Sequence, residues 1–556
     1  MEKRFFILFI SLSSFLFSNS QDLHKINEKK PFNISGSLMT SLNYNESSNS
    51  FQSYEPFSFL VSVNLTPSIY GFSFPLSANY SKMNKSFNHP FYRFGISPTY
   101  KWVKLNLGHR STNFSKYSVS GQKSFGAGIE LTPGKFRIGF MYGKFRREKG
   151  FSTINPYDDF DQNDYSRKGY AAKLGYGTTK NFVDVVFMRI ADNMDDYANN
   201  TLNINPESNV IASAITKFSL GKHFAFNAEV AASVITENMF ANPSEPEDIP
   251  NMLQGFENYF NINSSSNVAM ANEFGINYNI KTFTVGLQYQ RVDPEYRSLG
   301  TYFIRNDFEN YTLNSSYRFK KGIISGSLGI LKDNLKNTKI AQTNRVVSRL
   351  NLSLNPTKVF SVNANYSNFS AKQTEGRLPL NDTIKLYQVN KNISISPQLR
   401  FVNENNSSII MANYTYADMN DKNAFAQYAV PVVSNTAFVQ YNYNLTKRGL
   451  GASANINYTD FKANIAHITS IGPTVSANKT MLKNKGTLML SCSYLWSENN
   501  AVKGNVISGR TSFKYKISKK QQIKLNYFIT KSNYPDNANV MAYNNSRGVL
   551  AYTYQF

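Results

Sequence analysis

The chain has 556 residues, a formal net charge of +24 and a single cysteine, Cys492, so no internal disulfide can brace it. Past residue 20 no stretch is long and apolar enough for a membrane helix, which needs about 20 apolar residues. The texture is uniform from about residue 32 onward, with no Pro-rich linker and no charged tail, which argues against a string of soluble domains.

In chain order, residues 1–20 predict a secretory signal peptide. Lys3 and Arg4 precede an apolar run over 5–17, and Ser18-Asn19-Ser20 supplies small residues at a cut site. Residues 21–32 are then a short periplasmic segment, too short for a plug or a separate folded domain. From residue 33 the pattern has a period of two. Ile34, Leu38, Leu42 and Tyr44 share one side, with Asn33, Ser35, Ser37 and Asn43 on the other. Phe57, Phe59, Val61, Val63 and Leu65 repeat it, as do Phe224, Phe226, Val230 and Val234, then Leu488, Leu490, Cys492, Tyr494 and Trp496. Successive side chains alternate across a strand, so each run predicts a strand with one apolar and one polar face.

The connections alternate too. Tight links such as Pro133-Gly134, Gly221-Lys222-His223 and Ser518-Lys519-Lys520 are separated by longer stretches at 147–167, 191–208, 236–266, 293–308 and 370–390. Short turns at one rim and long loops at the other are the arrangement of a transmembrane barrel. The expected fold is therefore all-β, one antiparallel barrel over 33–556. It has about 26 strands, within a range of 24 to 28, with short periplasmic turns and long extracellular loops. Closure leaves no edge strand, so every backbone N–H and C=O finds a partner in lipid.

The chain ends "AYTYQF", with Tyr552, Tyr554 and Phe556 on alternate positions. This resembles the C-terminal signal of bacterial outer-membrane barrels, which implies recognition by the barrel-insertion machinery. The segments "YQRVDPEYRSLGTYFIRNDFENYTLNSSYRF" (289–319) and "GILKDNLKNTKIAQTNRVVSRLNLSLNPTKVFSVNANYSNFS" (329–370) are similar to segments of uncharacterised, porin-like outer-membrane barrels of Bacteroidota type. The resemblance implies location and fold and brings no activity with it.

Strand parity also assigns a sign to the interior. The polar faces carry Lys104, Arg137, Lys173, Lys217, Arg349, Arg510, Lys514, Lys516, Lys524 and Arg547, against Glu130, Glu229 and Glu273. A base-rich lumen with low-dielectric walls biases a pore toward anions. Bases strung around a barrel offer no groove-fitting element, so nucleic acid is not an expected partner. The expected partners are outer-membrane lipid, the insertion machinery, and a periplasmic or surface protein. An inward-folded constriction is expected within 236–266, where Met252, Leu253, Phe256, Tyr259 and Phe260 have helix-like spacing; a surface cap is the other reading of that segment.

Chemistry finds little support. Asp159, Asp161 and Asn163 have the spacing that opens a calcium loop, but Asp164 and Tyr170 break the motif. His109 and Ser111 in "GHRSTNF" lie near a strand's outer end without a third partner. No cofactor and no enzymatic activity are expected. Two functions stay open: a passive channel for anionic or polar solutes, and a structural or docking barrel for secretion, surface attachment or assembly, its lumen closed by loops or a partner.

Overall fold

Alternation commits each strand to one solvent per face, and the sheet has a single way to satisfy all of them. In the computed structural model, described from residue 32 to 556 apart from 49–55, 71, 83–92, 147–164, 200–203, 244–254, 256, 383–384, 424–430, 465 and 536–541, the strands form one closed antiparallel barrel of 26. Each pairs with its sequence neighbours, and the ring closes where Phe32–Ser47 pairs with both Phe57–Ile69 and Tyr543–Gln555. Twenty-six is the strand number expected from the sequence. Two strands are broken. Phe72–Ser73 and Leu76–Lys82 are halves of one, and Arg93–Ile96 and Thr99–Tyr100 of the next. Pro75 and Pro98 stand at the breaks, where a missing N–H cannot join a ladder. Arg110 spans the damage, donating to the carbonyl oxygens of Pro75 (2.8 Å) and Gly95 (2.5 Å).

The outer face is the apolar one. Leu174 (63% exposed), Tyr176 (55%), Val185 (53%) and Ile456 (61%) share it, and the register carries the same parity around the ring, Leu174 opposite Val185 and Leu42 opposite Leu550. In water this would be an aggregating surface; in a bilayer it is the expected one. Near the short turns it is edged by aromatic pairs, such as Phe136 with Tyr176 (5.4 Å between centroids) and Phe224 with Tyr278 (4.8 Å). Aromatic rings suit the headgroup level. Cys492 sits on this face as a free, exposed thiol.

Tyr552 and Tyr554 face outward, opposite Thr40 and Leu38 of the first strand. The Phe556 N–H donates to the Gly36 carbonyl at 3.1 Å, and its ring meets Tyr554 edge-on, with centroids 4.5 Å apart. Gly36 permits this closure. Its φ is +138°, and a Cβ there would lie 2.1 Å from the Asn64 carbonyl oxygen. Replacing Gly36 with Ala should cost about 1–3 kcal/mol from the dihedral alone, with the clash added. The folded barrel of Gly36→Ala should convert to the slow-migrating heated form on gels at a lower temperature than the parent. Unchanged heat stability would contradict this account of the seam.

Candidate lumen and solute path

The polar face is the interior, and its two halves differ. Over strands Phe136–Arg146 to Phe308–Phe319 it is buried under two loops that turn inward from the long-loop rim, 112–122 and 293–307. Phe114 lies against Gly139, where a Cβ would meet the ring at 2.7 Å, and the Lys173 ammonium stands 5.2 Å from its centroid. Ser115 donates to Glu229 (2.5 Å) and the Tyr117 N–H reaches the same carboxylate (3.3 Å). Lys116 pairs with Glu273, which also accepts from the Tyr117 hydroxyl (3.1 Å) and from Gln288 (2.8 Å). The second loop locks the first: the Tyr296 hydroxyl donates to the Tyr117 carbonyl (2.9 Å) and Ser298 to that of Ser118 (2.5 Å). Beneath them Val186, Met188 and Ile190 are fully buried with Tyr117, Val119, Tyr296 and Leu299. These wall residues occupy inward positions, where other strands carry Asn and Ser.

The ten expected lumen bases all fall on the inner parity, and they divide the same way. Just ahead of the packed arc Lys104 pairs with Glu130 (2.9 Å), and within it Arg137 grips Asp184 through two bonds (2.7 and 2.9 Å). Asp184 is an inner-face acid that the sequence reading missed. Lys173 stands over Phe114, and Lys217 lies exposed nearer the short-turn rim. Arg110, Arg318, Arg345 and Arg400 are further inner-face bases missed in the sequence.

The other half is different. Arg510, Lys524 and Arg547 are exposed, Lys514 is half-buried, and Lys514 stands directly opposite Lys524. Phe528 lies between Arg510 and Arg547 in one cross-strand row and is 43% exposed on the inner face. From Gly486–Asn499 around the seam to Phe57–Ile69, the inner face carries no carboxylate among the described residues. The described residues make no ion pair or side-chain hydrogen bond with these four bases. Arg349, across the lumen on Ala341–Leu354, is exposed as well. At the short-turn rim the strip continues into a cavity of about 750 Å³ lined by Lys485, Lys516, Lys519 and Lys520.

Of the two readings of 236–266, an inward constriction and a surface cap, what is described of the segment lies on the surface side. Residues Glu257–Phe260 form one helical turn on the outer face. The Tyr259 hydroxyl meets that of Tyr170 (2.9 Å), the Arg189 guanidinium lies 5.3 Å from its ring, and Phe260 packs on Phe187. Tyr170, Phe187 and Arg189 all have the outward parity of Leu174 and Val185. Met252, Leu253 and Phe256 lie outside the described residues. So do Asp159, Asp161 and Asn163 of the calcium candidate, and residues 1–20, where a signal peptide is expected. No group of His, Cys, Asp and Glu that could hold a metal occurs among the described residues. His109 faces outward between Phe94 and Phe125, with centroids 6.3 and 4.9 Å away.

No family model matches the chain, and no curated protein does. Solved structures similar to it include OccAB2 of Acinetobacter baumannii (10% identity, TM-score 0.33, 67% of this chain and 96% of that one). The translocation pore of the P pilus usher PapC aligns at 12% identity and a TM-score of 0.38, over 94% and 99%. The ferric enterobactin receptor PfeA of Pseudomonas aeruginosa aligns at 10% and 0.40, over 94% and 81%. A closed sheet with an apolar, aromatic-edged belt outside and a polar wall inside is the architecture of a Gram-negative outer-membrane β-barrel.

Proposed function

We propose that the protein is a passive conduit of the outer membrane for small anionic or polar solutes. They would pass along the half of the lumen that the two inward loops leave uncovered. The observation that carries this reading is the unpaired basic strip of Arg510, Lys514, Lys524 and Arg547, facing inward with no acid beside it. Lysines directly opposite each other repel, and low-dielectric walls focus the resulting field into the lumen. A strip built that way has a use if anions visit it. Phe528 between the two arginines adds an apolar contact suited to organic carboxylates or phosphates. The outward Tyr552 and Tyr554 with Phe556 support reading of the last strand by the insertion machinery.

The experiment is conductance of the purified full-length protein in a planar bilayer under a KCl gradient. Discrete steps with more chloride than potassium current are expected. A silent bilayer, or preference for potassium, refutes the reading. A second reading, a docking barrel closed by its own loops, is favoured by the apolar packing of 112–122 and 293–307 against the wall. That barrel would be silent and would copurify with a periplasmic or surface protein.

A further inference from the structure

The outward parity is apolar along most of each strand, yet at the long-loop rim it turns basic. On four consecutive strands the outward side chains near that rim include Lys123, Lys144, Lys168 and Arg189, with Ala191 one outward position beyond Arg189. Two residues deeper on each of those strands, on the same face, stands an aromatic: Phe125, Tyr142, Tyr170 and Phe187. Below these the face is apolar, with Phe140 and Val185 exposed. The order from rim to belt is therefore cation, aromatic ring, hydrocarbon.

Register sharpens this. Lys144 is the direct cross-strand partner of Lys168, and Tyr170 that of both Tyr142 and Arg189. Like charges placed opposite each other destabilise a sheet unless a counter-charge lies between them. No ion pair holds any of the four bases among the described residues. Arg189 gives one guanidinium N–H to Asn261 (2.8 Å), while its Nε is buried without a partner. Tyr142, Lys168, Tyr170 and Arg189 line one cavity of about 410 Å³. Its acids are Asp195, exposed at the rim, and Asp192, which is already held by Arg146 and Arg167. Asp196, nearby, feels burial pushing its carboxyl up, but bonds from Ser166 and Asn193 and the charge of Lys144 hold it below the usual range.

From this arrangement we infer that Lys144, Lys168 and Arg189 form a binding site for the phosphate of a phosphorylated glycolipid in the outer leaflet, whose acyl chains lie over the exposed Tyr142 and the apolar belt below, beside the turn whose Tyr259 covers Tyr170. A lipid phosphate arrives at the headgroup level, where these cations stand, and its chains need the hydrocarbon surface beneath. A free anion would use the first feature and not the second. Lys168 and Arg189 line the same cavity and Lys144 stands opposite Lys168, so a phosphate placed there would take charge-assisted bonds, which are the strong ones. The site lies on the opposite face of the wall from the proposed solute path and is independent of it.

The test uses the full-length barrel in detergent. Native mass spectrometry would measure retention of a diphosphorylated glycolipid of the lipid A type, its dephosphorylated counterpart, and inorganic phosphate. The intact protein should hold the diphosphorylated lipid. Lys144→Gln/Lys168→Gln/Arg189→Gln should bind it about a hundredfold more weakly, each base near an anionic lipid surface being worth roughly a fivefold factor. Arg189→Lys alone should keep most of the binding. Heat-modifiable migration on gels checks that each variant is folded, and bilayer conductance of the triple variant should match the parent. Equal retention by parent and triple variant overturns the proposal. So does equal binding of the dephosphorylated lipid, or full displacement by millimolar inorganic phosphate, which would mark a free-anion site.

Discussion

Removing the two carboxylates that anchor the first inward loop should loosen it from the wall and enlarge the conducting path. Glu229 accepts from Ser115 and from the Tyr117 N–H, and Glu273 from Lys116 and the Tyr117 hydroxyl. Hydrogen bonds to charged groups contribute about 1.5–3 kcal/mol each. Lys116 is half exposed, so its ion pair adds about 1 kcal/mol at most. Glu229→Ala/Glu273→Ala should then weaken docking by about 5–10 kcal/mol as an upper bound, with the apolar seat of Phe114 and Val119 remaining. Single-channel steps should become larger and noisier than those of the parent. Gly139→Val reaches the same end from the wall side, because its Cβ would occupy the place of the Phe114 ring. Should both variants show parental conductance with parental noise, the loop does not limit the path.

Reversing the charge of the bare basic strip should have the second large effect. In Arg510→Glu/Lys514→Glu/Lys524→Glu each change alters the local charge by two units on a wall with no acid to compensate. The chloride-to-potassium permeability ratio should fall by at least about tenfold, equivalent to 1.4 kcal/mol, and pass through unity. The effect should be large in 0.1 M salt and shrink at 1 M, as the Debye length contracts from about 10 to about 3 Å. The same reversals at Lys104 and Arg137 should do less to selectivity, since Glu130 and Asp184 already neutralise those bases. A triple reversal that leaves the reversal potential unmoved would place the solute path elsewhere.

The barrel was legible because its physics is written at every second residue. Parity assigned the faces, turn length assigned the rims, and Tyr552 and Tyr554 of the closing strand share the outer parity of Leu550. The inward loops were harder to read because what they need is a wall rather than a motif. Their signal lies in the strand that receives them. "VDVVFMRIAD" (183–192) has Val186, Met188 and Ile190 at inward positions as well as Val185 and Phe187 at outward ones, so the run loses its alternation. A strand apolar on both faces within an amphipathic barrel marks something packed inside. The helix-like spacing of 252–260 left an inward constriction and a surface cap both open. An amphipathic turn buries its apolar side equally well on either face of a barrel, and Tyr170 with Arg189 holds the described turn Glu257–Phe260 outside. The ten bases were placed by parity, whereas their division into neutralised and bare sets depends on cross-strand partners such as Asp184, which register alone reveals.

The uneven filling of the lumen has a mechanical consequence. The arc from Phe136 to Phe319 is braced from within by an apolar cluster, so bending it means parting packed side chains. The arc that holds the join of first and last strands is kept in shape by its ladder bonds and by side-chain contacts between adjacent strands, such as Ser546 with Glu46 and Ser512 with Asn526, with no apolar cluster packed behind it among the described residues. Lateral pressure from the bilayer should flatten the pore on that compliant side while the stiff side keeps its curvature. The final zippering of the cylinder during assembly also falls there, where no interior filling has to be displaced for the two ends to meet.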